Sequence, residues 1–216
     1  MVPGVTDDEL HMLRQQFWDE RYASRPQVWS GRPNPQLVDR IRGLAPGRAL
    51  DVGSGEGADA IWLAEQGWEV TAIDVSPVAL ERAGAHAQAG GGDIAARIAW
   101  RQEDVLVWGP EPGAFDLVSS QFMHLPRGPR EALFARLAAG VAAGGTLLIV
   151  GHHPSDHGVV PRGHGEMLFT AEEVAARLDP GAWELVVVGA PGRTTVDPAG
   201  DVVTIHDALL QARRRM

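Results

Sequence analysis

Two rhythms of apolar and polar residues alternate along this chain. RALDVG (48–53), WEVTAIDV (68–75), RIAWRQ (97–102), FDLVSSQ (115–121) and GTLLIVGH (145–152) are short apolar strand candidates. Between them, stretches at 57–67, 77–88 and 128–141 are alanine-rich and repeat apolar residues at helical spacing. Near-continuous apolar strands separated by helices predict a parallel sheet covered on both faces. Upstream, residues 7–22 predict an amphipathic helix with Leu10, Leu13, Phe17 and Tyr22 near one face. The connection SRPQVWSGRPNP then leads to a short helix at 35–43. The end changes character: after a helix at 170–178, AWELVVVGA and DVVTIHDALLQARR, joined by PGRTTVDPAG, suit an antiparallel pair. The stretch AGAHAQAGGGD (83–93) reads as a mobile loop.

Composition narrows the class. A chain of 216 residues, 44% hydrophobic and 22% charged, suits one globular domain with a substantial core. No run approaches the roughly 20 apolar residues of a membrane span, and MVPGVTDDEL lacks the basic-then-apolar order of an export signal, so a cytoplasmic location is expected. The absence of cysteine excludes disulfides, thiolate metal sites and cysteine nucleophiles. A formal charge of -9 opposes a broad nucleic-acid surface, since phosphate binding needs clustered cations.

Candidate chemistry starts at ALDVGSGEG (49–57), where a strand ends and a helix begins. Such a turn lies at the carboxyl edge of the sheet, where open α/β sheets bind ligands. Gly53, Gly55 and Ala58 also satisfy a dinucleotide-binding spacing. Asp51 and Glu56 separate the two readings, because acids repel a pyrophosphate and attract a ligand bearing an ammonium.

Four segments in order, LDVGSGEG, VTAID, QEDV and FDLVSSQFMHLP, resemble the motifs of the class I S-adenosylmethionine-dependent methyltransferases, small-molecule branch, near the tellurite-resistance and thiopurine enzymes. The resemblance implies an α/β, Rossmann-like, seven-stranded, mostly parallel sheet with a final antiparallel strand and helices on both faces. It implies one domain over 1–216, with 1–34 a helix and lid segment and 35–216 the core. It also implies S-adenosylmethionine as cofactor: Gly53 and Gly55 beneath it, Asp51 toward its ammonium, Asp74 with neighbouring Val75 at the ribose. Glu103, Asp104 and Val105 would meet the adenine, and Gln121 the cofactor near the end of the fourth strand. A small-molecule acceptor, a thiol, chalcogen, hydroxyl or amine, would contact Trp18, Tyr22, Trp29 and Arg193.

His124, His152 and His153 are candidates to remove a proton from an alcohol or amine acceptor. The stretch GHHPSDHGVVPRGHGE (151–166) holds four histidines whose spacing matches no named zinc pattern, and no metal is assigned. A nicotinamide-dependent oxidoreductase and a non-catalytic S-adenosylmethionine-binding module stay open as alternatives, although a Tyr–Lys hydride site is impossible in a chain without lysine. Oligomeric state is left open.

Overall fold

A computed structural model describes residues 15–156, 167–196 and 200–216. The strands are β1 (Arg48–Val52), β2 (Glu69–Asp74), β3 (Ile98–Gln102), β4 (Phe115–Gln121), β5 (Val141–His152), β6 (Trp183–Gly189), β7 (Gly192–Val196) and β8 (Val202–Arg214). The helices are α1 (Gln15–Ala23), α2 (Pro35–Ile41), α3 (Ala58–Glu65), α4 (Pro77–Gly90), α5 (Gly92–Ala95), α6 (Arg127–Gly140) and α7 (Ala171–Ala175). None is long and apolar enough to cross a membrane.

The main sheet runs β3-β2-β1-β4-β5-β8-β6. Neighbours from β3 to β5 pair parallel, and β8 is antiparallel to both β5 and β6. Chain order reverses between β1 and β4, which opens a crevice beyond their carboxyl ends. Apolar side chains fill both faces. Leu50, Val52, Val118 and Ile149 belong to one cluster and Ala49, Leu117, Leu148 and Val150 to the other, as alternation along each strand requires. Fully burying each of the larger side chains contributes about 1.5–3 kcal/mol.

One expectation is extended and a second corrected. The main sheet has the seven strands expected, and GRTTV adds an eighth, β7, off that path, against the first part of β8. Thr194, Thr195 and Val196 favour a strand, but the run is short, has one large apolar residue and lies among proline and glycine turn signals, so it reads as a connection until β8 offers an edge. Asp207 pairs with His152, the last residue of β5, so residues 202–206 and β7 overhang the carboxyl edge. The correction concerns 83–93, which is helical: α4 continues to Gly90 and α5 follows at once. Ala79, Ala83 and Ala87, spaced by four, are all fully buried, and that packing outweighs the glycines. Part of the helix predicted over 7–22, with Leu10 and Leu13, lies outside the described residues; α1 accounts for the rest.

Candidate functional site

The glycine turn is built by backbone geometry. Gly53 and Gly55 have φ of 73° and 53°, a left-handed region that L side chains rarely adopt. The amides of Gly53 and Ser54 both donate to Ile73 O at 2.9 Å, tying the turn to the end of β2. A Cβ on Gly55 would fall 2.9 Å from the Tyr22 hydroxyl, so α1 presses directly on the turn.

Above this turn lies a cavity of about 560 Å³, within the range of small-molecule sites. Of the residues singled out in the sequence, the cavity wall includes Gly53, Gly55, Asp74, Val75, Asp104 and Val105 from the turn and the ends of β2 and β3. Gln121, His124 and His152 join from the ends of β4 and β5, and Arg193 from β7. Trp18, Tyr22 and Trp29 close the wall from the N-terminal side.

Three other candidates lie off the wall. Asp51 is buried at 2% exposure. It accepts from the Ala60 amide, while its Oδ2 has no hydrogen-bond partner. Burial first, then the Asp59 and Asp74 charges, raise its carboxyl well above the ordinary value. Glu103 is engaged through its backbone, its amide donating to Asp74 O at 3.0 Å. His153 turns toward β8: its amide donates to His206 O at 3.1 Å, and its Nδ1 lies 2.8 Å from the Ser155 hydroxyl. Among the described residues, no group of three or more His, Cys, Asp or Glu is placed to hold a metal.

Asp74 is the best-braced acid at the wall. At 7% exposure it accepts from the Gly55 amide through Oδ2 and the Ser76 amide through Oδ1, both at 2.9 Å. Burial raises its carboxyl above the ordinary value, and these donors offset only part of that rise. Ser76 also caps α4, accepting from the Ala79 amide at 3.2 Å. Asp104 accepts from the Leu106 amide at 2.9 Å, which fixes the loop after β3.

Glu56 and Asp59 do work that the sequence did not reveal. Glu56, 4% exposed, accepts from the Val28 and Trp29 amides at 3.0 Å and pairs with Arg82 at 3.2 Å. Asp59 accepts from the Asn34 amide at 2.6 Å. The Trp29 indole donates to the Tyr22 hydroxyl at 3.0 Å, and Asp19 and Ser76 join side chains at 2.5 Å. The segment from α1 to Asn34 is therefore a strap fastened to the glycine turn and to the starts of α3 and α4. These contacts span 25 to 57 residues, beyond the reach of local pattern.

The opposite end is aromatic. Phe122 takes φ of 52°, an outlier for a bulky residue that costs on the order of 1–2 kcal/mol. Its ring centroid lies 4.7 Å from that of His152, which stacks on His124 at 5.2 Å and 14°. The Arg193 guanidinium lies over Phe122 at 5.6 Å. Gln121 donates to the Ser119 hydroxyl at 2.9 Å, and its Oε1 is buried without a hydrogen-bond partner.

Residues 49–145 match the family model of a methyltransferase domain. A 2-heptyl-1-hydroxyquinolin-4(1H)-one methyltransferase of Mycobacteroides abscessus is 28% identical over 134 residues, which cover 61% of this chain and 58% of that protein. The structure of TehB from Haemophilus influenzae superimposes with a TM-score of 0.69 at 18% identity, over 92% of this chain and 67% of that one. A Burkholderia thailandensis 1,6-didemethyltoxoflavin-N1-methyltransferase, solved with 1,6-didemethyltoxoflavin and S-adenosylhomocysteine bound, gives 0.67 at 20% identity over 100% and 93% of the two chains. At these identities the two structures establish likeness of fold. The chain spans 58% of the length of the first curated relatives it matches. The matched region runs from β1 to β5 and includes the glycine turn, so this part of the chain is similar to a methyltransferase domain, and the whole chain has the sheet order that the resemblance to class I S-adenosylmethionine-dependent methyltransferases implies.

Proposed function

We propose that the cavity binds S-adenosylmethionine and that the protein is an enzyme transferring its methyl group to a small-molecule acceptor. The observation that carries the reading is Asp74, a buried carboxylate braced by two amides at the cavity wall, in the place where this family holds a ribose. The remaining residues fit the same group. Asp74, Asp104 and Asp59 make this end of the wall acidic, which suits a ligand with an ammonium and no phosphate. The close approach permitted by Gly53 and Gly55 suits its amino-acid part, and the partnerless Oε1 of Gln121, a residue of the cavity wall, is an acceptor for one of its N–H or O–H groups.

When bound, S-adenosylmethionine supplies a methyl group already activated by its sulfonium. The chain's own contribution is then mainly alignment and exclusion of water, which together lower a bimolecular barrier by several kcal/mol. His124 and His152, adjacent at the aromatic end, are placed to take a proton from a hydroxyl or amine. A cytoplasmic location and a single domain over the whole chain belong to the same proposal.

Calorimetric titration with S-adenosylhomocysteine and with NADH tests the cofactor. Micromolar binding of the first and none of the second supports the reading, and the reverse order replaces it with the oxidoreductase alternative. Methyl transfer to a panel of thiols, phenols and amines then tests the activity.

A further inference from the structure

We infer that the β4–β5–β7 end of the cavity selects a flat aromatic acceptor carrying an anionic oxygen, with Arg193 as the counter-ion for that oxygen. The inference rests on the cofactor reading above and names the class of the second substrate. Asp207 on β8 is 1% exposed, and a carboxylate there requires a partner. Arg193 supplies it through Nε, which lies 3.0 Å from both Asp207 oxygens, while Gln36 Nε2 reaches Oδ2 at 3.4 Å. Among the described residues, no hydrogen bond engages the two Nη groups of Arg193, although the side chain is only 33% exposed and lines the cavity. Neutralising Asp207 therefore uses one edge of the guanidinium and fixes it in place. The other edge remains available as a planar pair of donors, the geometry that suits a carboxylate or phenolate.

The surroundings set the shape of what would meet those donors. Phe122 lies beneath the guanidinium, and His152 and His124 continue as a row of rings with centroids 4.7 and 5.2 Å apart. Such a wall favours a flat ring system over a branched aliphatic one. Charge along the cavity is also polarised. The glycine-turn end carries Asp59, Asp74 and Asp104, besides Glu56 already paired with Arg82, against one cation, Arg32 of the strap, and Arg193 stands at the other end, so an anionic group is favoured beside Arg193.

The test uses 2-naphthoate as a flat anion, 2-naphthamide as its uncharged counterpart and cyclohexanecarboxylate as an anion without an aromatic ring. Each is titrated calorimetrically into the wild-type protein, alone and saturated with S-adenosylhomocysteine. The expected result is naphthoate binding roughly tenfold or more tighter than either control, the scale of one charge-assisted hydrogen bond. Arg193→Gln should erase the preference for naphthoate over naphthamide and leave S-adenosylhomocysteine affinity unchanged. Because that variant strands Asp207, the double variant Arg193→Gln/Asp207→Asn carries the same expectation without a buried lone carboxylate. Equal binding of naphthoate and naphthamide by the wild type, or a preference that survives in the variants, overturns the assignment of Arg193. Cyclohexanecarboxylate binding as tightly as naphthoate overturns the aromatic part. Failure of S-adenosylhomocysteine to bind overturns the cofactor reading separately, since the naphthoate comparison on the protein alone still decides this one.

Discussion

The backbone amide of Trp29 donates to the Glu56 carboxylate at 3.0 Å, so the acid inside the glycine turn faces the strap and not a ligand phosphate. With the Val28 amide and Arg82 on the same carboxylate, Glu56 has two amide donors and one cation in a buried site. Its presence in a turn of a type that commonly holds phosphate is explained by this fastening.

Glu56→Gln is therefore expected to loosen the strap while the sheet stays intact. Loss of the charge weakens both amide bonds and the Arg82 pair, so amide hydrogen exchange at Val28 and Trp29 should accelerate roughly tenfold or more, with amides of β1 and β4 unchanged. Exchange at wild-type rates would assign the fastening to the Asp59–Asn34 and Asp19–Ser76 links instead.

Asp74 gives the second prediction. If its carboxylate accepts from ribose hydroxyls, bonds of about 1.5–3 kcal/mol each are lost in Asp74→Ala, and S-adenosylhomocysteine affinity should fall at least about tenfold. The same change frees the Gly55 amide, so the measurement is calorimetry on a variant whose melting shows it folded. Unchanged affinity would remove Asp74 from the ligand site.

Legibility from sequence followed the range of the physics involved. Gly53, Gly55 and Asp74 were readable because a strand end, a left-handed turn and a carboxylate at the next strand end are local requirements, and the structure gathers all three at one cavity. The strand series from β1 to β5 was readable for the same reason, since near-continuous apolar runs report burial on both faces. β7 was not, because Gly192–Val196 has little apolar content and takes its order from β8. The roles of Glu56, Asp59 and Asp207 were also hidden, as each depends on a partner from another element. Asp51 was read as facing the ligand; it is buried and does not line the cavity.

The pH dependence follows from Asp59, whose carboxyl burial raises from 3.8 to about 6 against the pull of the Asn34 amide. The sign is that of a destabilising acid: between those two values the folded state binds more protons than the unfolded one, so this group's contribution to stability falls as pH rises from about 4 to about 6. A ligand ammonium favours the ionised form, so S-adenosylhomocysteine affinity should instead rise as pH passes upward through about 6, with Asp74, also raised by burial, acting in the same direction. Asp59→Asn keeps an acceptor for the Asn34 amide and should flatten that rise. Calorimetry at several pH values between 5 and 7.5 checks it, and a profile with the same slope in the variant would assign the titration to other groups.

The strap itself supplies the last prediction. Trp18 and Tyr22 lie one helical turn apart on α1, and with Trp29 they wall the cavity from above, so the strap can act as a lid that retains the cofactor and shields the reacting groups from water. Alternatively, the same aromatics only anchor α1: Tyr22 is 2% exposed, and Trp29, 46% exposed, covers little. Ligand kinetics separate the two roles. A chain lacking residues 1–30 should still bind S-adenosylhomocysteine if the sheet and glycine turn stand, but without a lid the ligand should leave several-fold faster, with an association rate unchanged or higher. Trp29→Ala should give a smaller change in the same direction, because it removes the indole that bonds to Tyr22 and leaves the backbone fastening to Glu56 in place. Stopped-flow measurement of the dissociation rate decides the matter: if both folded variants release the ligand at the wild-type rate, the strap is packing and not a lid.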